Sequence, residues 1–200
     1  MNDKPKYNPK IHHRRSIRLK GYDYSQAGLY FITICCEGRE CRFGEIVNDE
    51  IMLNEYGSIA YNRWINLTER FSNFELDVFQ IMPNHMHGII VLNDVGAGFT
   101  PAQNGQPQGL PLQNTDDDDR AHVDGAHVYR APTIGDIVGA YKSLVANGCL
   151  DIFKFKNEKM RKLWQRNYYE HIIRSEQSYQ TISEYIISNP AKWKDDKFYK

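Results

Sequence analysis

The chain has 200 residues, 41% of them hydrophobic, and 25 Lys plus Arg against 25 Asp plus Glu. That is enough apolar material for one packed domain with an insertion or tails, and a net charge of zero singles out no partner. There is no apolar signal core and no run long enough to span a bilayer. Cys35, Cys36, Cys41 and Cys149 form no C-x-x-C pair, so a cytoplasmic protein with reduced thiols is expected.

Charge is unevenly distributed. Residues 1–26 form a basic arm with Lys4, Lys6, Lys10, Arg14, Arg15, Arg18 and Lys20 against Asp3 and Asp23. A second basic stretch holds Lys154, Lys156, Lys159, Arg161, Lys162 and Arg166. Each can be a solvated segment; together they can also hold a polyanion.

The short apolar run from Leu29 to Cys36 reads as a buried strand, and Cys41 to Leu53 as a hairpin turning at Asn48-Asp49. Asn54 caps a helix predicted to reach about Arg70, with Tyr56, Ile59, Ala60, Trp64 and Leu67 at helical spacing. Phe74 to Met82 and His85 to Leu92 read as two strands paired across Pro83-Asn84. Residues 93–132, rich in Gly, Pro, Gln, Asn and Asp and including Asp116 to Asp119, read as a flexible insertion. Thr133 caps a helix predicted to end at Gly148. Leu163 to Arg174 reads as a strand or extended segment, and Ser175 caps a last helix stopped by Pro190 after Asn189. Strands and helices in this order predict an α+β protein, an antiparallel sheet with helices packed on it.

Met82-Pro-Asn-His85-Met86-His87-Gly88 is the densest chemical signal. On a strand His85 and His87 share a face and Met86 points to the other, where Gly88 keeps the surface slim. Two imidazoles at a strand start can be two arms of an open divalent-metal site, or two polar residues beside a turn. Two ligands are too few for structural zinc; Mg2+ or Mn2+ completed by oxygen ligands and a phosphate suits the pair better. On the last helix Tyr185 and Asn189 are four residues apart and share a side. Asn189 can offer a carbonyl oxygen and Tyr185 a phenol, a weak nucleophile that a metal-polarised phosphate would help; packing with Tyr179, Ile182 and Ile186 accounts for the tyrosine equally. Aromatic and cationic residues interleave at Trp164, Arg166, Tyr168, Tyr169, His171 and Arg174, a pattern shared by base-stacking surfaces and ordinary amphipathic strands.

These segments together resemble the REP-associated tyrosine transposases, a single-stranded-DNA transposase branch of the HUH endonuclease superfamily. The resemblance runs through Arg14-Arg-Ser-Ile-Arg-Leu19, Gly28 to Cys35, Met82 to Gly88, Trp164-Gln, Tyr169 to Arg174 and Tyr185-Ile-Ile-Ser-Asn-Pro190, interrupted by the insertion at 93–132. It implies a ferredoxin-like, RRM-type antiparallel sheet with helices packed on one face and a transposase domain over residues 27–200. It implies His85 and His87 as metal ligands and Tyr185 as nucleophile. Asn189 stands where related transposases carry a glutamine ligand. The implied activity is Mg2+- or Mn2+-dependent cleavage and rejoining of hairpin-bearing single-stranded DNA through a 5′-phosphotyrosine, by a monomer or homodimer. Arg14, Arg15, Arg18, Trp164, Arg166, His171 and Arg174 are then the expected DNA contacts. An idle RRM-like binding module or repressor, and a phosphoesterase with water as nucleophile, are the rival readings.

Overall fold

The structure, a computed structural model, describes residues 21–93 and 132–199. Most of the basic arm, with Arg14, Arg15 and Arg18, and nearly all of the 93–132 insertion lie outside the described residues. Strand β1 (Gly28–Cys35) is followed by a hairpin of β2 (Gly44–Val47) and β3 (Glu50–Leu53), then helix α1 (Glu55–Ile65). Next come β4 (Phe74–Met82), β5 (His85–Leu92), helix α2 (Ile134–Phe155), β6 (Tyr169–Ile173) and helix α3 (Glu176–Ser188). The main sheet has the order β4-β5-β1-β6, and its neighbouring strands run antiparallel. No helix among the described residues is long and apolar enough to cross a membrane.

Local chemistry accounts for the element ends. Asn48 and Asp49 both take positive φ, 51° and 64°, which gives the two-residue β2–β3 loop the twist a tight hairpin needs. The Asn54 side chain accepts from the amides of Tyr56 and Gly57 at the start of α1. Thr133 and Asp136 form a reciprocal capping box on α2, and Ser175 accepts from the Ser178 amide on α3.

Two expectations need correction. Helix α2 does not stop at Gly148 but runs on to Phe155. Gly148 is instead a close-approach position between helices, where an added Cβ would lie 2.9 Å from Ile59 Cγ2. The extended segment expected over 163–174 forms a ladder only from Tyr169, with Trp164 in an isolated bridge to Cys36.

The sheet divides the protein into two layers of different character. Tyr30, Ile32, Ile34, Met86 and Ile90 face α1 and α2 and form the main core with Trp64, Tyr141, Val138 and Val145. On the opposite face Leu29, Phe31, Val78, Ile89 and Ile173 meet α3, through Tyr179, Ile182, Tyr185 and Ile186. The α1–α2 layer is the helical face expected from the sequence; α3 is a further helix laid over the histidine-bearing face. Cys35, Cys36 and Cys149 are buried, and Cys41 is exposed.

Gly88 fixes how closely the main layer approaches the metal-ligand candidates. A Cβ there would stand 2.9 Å from Trp64 Cζ2 and 3.3 Å from Phe79 Cβ. Gly88→Ala is therefore expected to lower the unfolding free energy by about 1–3 kcal/mol through overpacking, read as an earlier midpoint in urea.

Candidate functional site

Register brings the candidates together. On β5, His85 and His87 project toward α3; their antiparallel partners on β1 are Cys35 and Thr33, and on β4 Met82 and Gln80. Both histidines are fully buried. Their Nε2 atoms face each other at 2.9 Å. Tyr185, three residues before the end of α3, places its hydroxyl 3.1 Å from His87 Nε2.

The outward nitrogens are anchored. Asn84 Nδ2 donates to the carbonyls of Phe198, at 2.8 Å, and Arg39, at 3.2 Å. Its Oδ1 is thereby turned toward His85 Nδ1, at 2.8 Å, and must accept the proton that nitrogen carries. His85 Nε2 is consequently a bare lone pair. His87 Nδ1 meets the Thr33 hydroxyl at 2.8 Å. That hydroxyl can accept from Nδ1, which leaves both Nε2 lone pairs converging, or donate to it, which lets His87 Nε2–H point at His85. Burial is the main cause that depresses both imidazoles: His85 is brought down to about 4 and His87 well below its ordinary value. Nearby Lys197 and Arg39 push His85 down further, partly opposed by Asp196. Both rings are neutral near pH 7 and are available as ligands.

A third group was missed in the sequence. Asp196, in the segment after α3, lies with His85 and His87 in one cluster whose ligand atoms are all within 4.8 Å of one another. Its Oδ2 accepts from the Tyr185 hydroxyl at 2.9 Å and from Asn189 Nδ2 at 2.7 Å, while Oδ1 accepts from the Phe198 amide at 2.6 Å. Asn189 Oδ1 is buried without a hydrogen-bond partner, a neutral acceptor left in a polar site. Burial, then the hydrogen bond and charge of Asp196, raise the Tyr185 phenol above its ordinary range. It therefore rests as a phenol.

The set fits a divalent cation. Two nitrogens each about 2.1 Å from one ion and at right angles around it stand about 3.0 Å apart, close to the spacing found. A carboxylate and an unpartnered amide oxygen add the hard donors that Mg2+ or Mn2+ prefers. The segment 196–198 roofs the pair: the Phe198 ring lies 4.6 Å from the His85 ring and 5.8 Å from that of His87. Arg39 and Lys197 stand over Phe198 at 5.3 and 4.8 Å.

The other expected contacts separate. Trp164 is buried against Phe43 and Tyr141, and its indole N–H donates to the Lys142 carbonyl at 3.1 Å. Arg166 is exposed in the loop that Lys142 holds through the carbonyls of Gln165 and Arg166. His171 and Arg174 are exposed beside α3. Thr33 and Asn84 join Asp196 as residues that motif reading passed over: Thr33 is the one polar side chain in an apolar strand, and Asn84 read only as a turn former.

No protein-family model matches the chain. An uncharacterized protein of Haemophilus influenzae is 44% identical over 196 residues, covering 97% of each chain. The solved structure of a REP-associated tyrosine transposase bound to a REP hairpin aligns with a TM-score of 0.53 and 18% identity, over 88% of this chain and 74% of that one. The chain thus belongs to one family with the Haemophilus influenzae protein, and its fold is that of the REP-associated tyrosine transposase.

Proposed function

We propose that this protein is a divalent-metal-dependent endonuclease and strand transferase acting on hairpin-bearing single-stranded DNA through a 5′-phosphotyrosine. The observation that carries the reading is a phenol 3.1 Å from one of two buried imidazole nitrogens that converge at 2.9 Å. A core tyrosine packing for its own sake has no need of that neighbourhood. The hairpin DNA in the transposase of like fold supports the choice of substrate.

His85, His87 and Asp196 would hold the cation, with Asn189 Oδ1 as a further oxygen donor. The bound Mg2+ or Mn2+ would neutralise phosphate charge and make phosphorus more electrophilic. Tyr185 Oη attacks phosphorus, and its proton passes to the Asp196 carboxylate 2.9 Å away. The P–O3′ bond breaks; the departing 3′-oxygen takes a proton from water, and the 5′-phosphate stays on the tyrosine. Attack by a second 3′-hydroxyl reverses these steps and rejoins a strand without any external energy source. Because Tyr185 rests protonated, a base within hydrogen-bond reach is a requirement of this scheme. Arg39 and Lys197, at the rim, offer charge to the flanking phosphates.

End-labelled single-stranded hairpin DNA incubated with the protein and Mn2+ should yield a label that travels with the protein on a denaturing gel. EDTA and Tyr185→Phe should each remove that adduct, while Tyr185→Phe still retards the DNA on a native gel. Cleavage by Tyr185→Phe would assign the nucleophile to water; hairpin binding with no cleavage by the intact protein would make it an idle binding module. Asp196→Asn should slow adduct formation by about a hundredfold or more if the carboxylate takes the phenol proton.

Metal occupancy can be read without DNA. Mn2+ at 100 times its dissociation constant should stabilise the fold by about 2.7 kcal/mol, seen as a rise in Tm. The rise should vanish in His85→Ala and His87→Ala. An equal rise in both variants would place the ion elsewhere.

A further inference from the structure

Beside the nucleophile lies a cleft that the chemistry above does not use. It has a volume of about 530 Å3 and is lined by Phe31, His171, Gln177, Ser178, Thr181 and Ile182, together with Ser175. One wall is strand: Phe31 on β1 and His171 on β6 are register partners, one layer along the sheet from Thr33 and Tyr169. The other wall is the first half of α3, one to two turns before Tyr185. Phe31 joins cleft and site, because its ring stacks on His87 at 5.4 Å and meets Tyr185 edge-on at 6.3 Å.

The spacing and chemistry suit one occupant. Two residues along a strand cover about 7 Å, comparable to one step of an extended nucleotide chain. A strand whose phosphate sits between Tyr185 and the imidazoles therefore brings its neighbouring base to Phe31. The cleft is apolar at Phe31 and Ile182 and polar along Gln177, Ser178 and Thr181, as a flat ring with a hydrogen-bonding edge requires. Among the described residues the Gln177 amide and the His171 ring have no hydrogen-bond partner, although the Thr181 hydroxyl is engaged by the Gln177 carbonyl at 2.9 Å. A glutamine amide offers a donor and an acceptor together, which is what distinguishes one base edge from another.

We propose that this cleft takes the nucleobase adjoining the scissile phosphate, stacking it on Phe31 and reading its edge with Gln177, so that the cleavage site is chosen partly by protein side chains. The assignment rests on the strand-transfer reading for the position of the phosphate. His171 closes the open side and contacts the sugar or base from the sheet edge. Base–aromatic stacking alone is tolerant of sequence, so preference has to come from the amide.

A library of single-stranded hairpin DNA with a randomised flank tests this in two ways. Strands captured covalently in Mn2+ and strands retained non-covalently in EDTA are sequenced separately. Wild-type protein should show a base preference at one flank position in either pool, at least fivefold over the least favoured base. Gln177→Ala, at an exposed helix position, should flatten it, and Phe31→Leu should weaken retention of all four bases. A preference unchanged in Gln177→Ala, or no preference at any flank position in the retained pool, overturns the proposal. Failure of covalent capture alone, with the retained pool behaving as expected, counts against the phosphotyrosine reading and leaves the cleft as a base-binding site.

Discussion

Two imidazoles whose inner nitrogens converge at 2.9 Å inside a protein need a proton or a cation between them, because two facing lone pairs repel. One neutral resolution is a hydrogen bond from His87 Nε2–H to His85, with Thr33 donating to His87 Nδ1; the other is a cation between two lone pairs, with Thr33 accepting, and burial keeps both rings uncharged in either case. Much of the local structure exists to maintain this convergence. Asn84 fixes the His85 tautomer, its own orientation pinned by backbone carbonyls from two distant segments. Thr33, held on β1 opposite His87, adapts its hydroxyl to either protonation pattern. Such outer partners orient a ligand set before the ion arrives and raise the affinity of the nitrogens for it.

The two faces of the sheet carry different burdens. The α1–α2 layer buries the large aromatic and aliphatic side chains, and Gly88 lets Trp64 pack directly beneath the histidine strand. This gives the ligands a rigid support. The α3 face has a smaller apolar contact, and on α3 and at its end Ser183 Oγ and Asn189 Oδ1 are buried without hydrogen-bond partners. Each such group costs about 1–3 kcal/mol in an ordinary interior. Tyr179, donating to Asp77 at the irregular part of β4, ties the first half of α3 down. The second half holds Tyr185.

Much of the fold was legible because its local signals agree with its tertiary structure. The caps at Asn54, Thr133 and Ser175, the Asn48-Asp49 turn and the paired strands around Pro83-Asn84 are local chemistry. Gly148 misled because a glycine at a helix crossing and one at a helix end look alike in a sequence. The burial of Trp164 was not legible, because aromatic and cationic interleaving is also how a core residue looks beside a solvated loop. In the site, the H-x-H and Y-x-x-x-N spacings named four side chains that the structure brings together. Asp196 had no spacing to reveal it: it reaches the imidazoles by a turn of chain after α3 and looks, in sequence, like half of an acidic pair among lysines. Thr33 and Asn84 depend on strand register and on a backbone contact from the far end of the chain, neither of which a linear pattern encodes.

In the proposed mechanism the converging nitrogens of His85 and His87 share a divalent cation within reach of the Tyr185 oxygen. Anomalous diffraction at the manganese edge from crystals grown with Mn2+ measures this directly. A peak is expected about 2.1–2.3 Å from both Nε2 atoms, beside Asp196 and adjacent to the phenol. An empty site between two imidazoles joined by a proton, at Mn2+ concentrations that saturate the protein in solution, would contradict it.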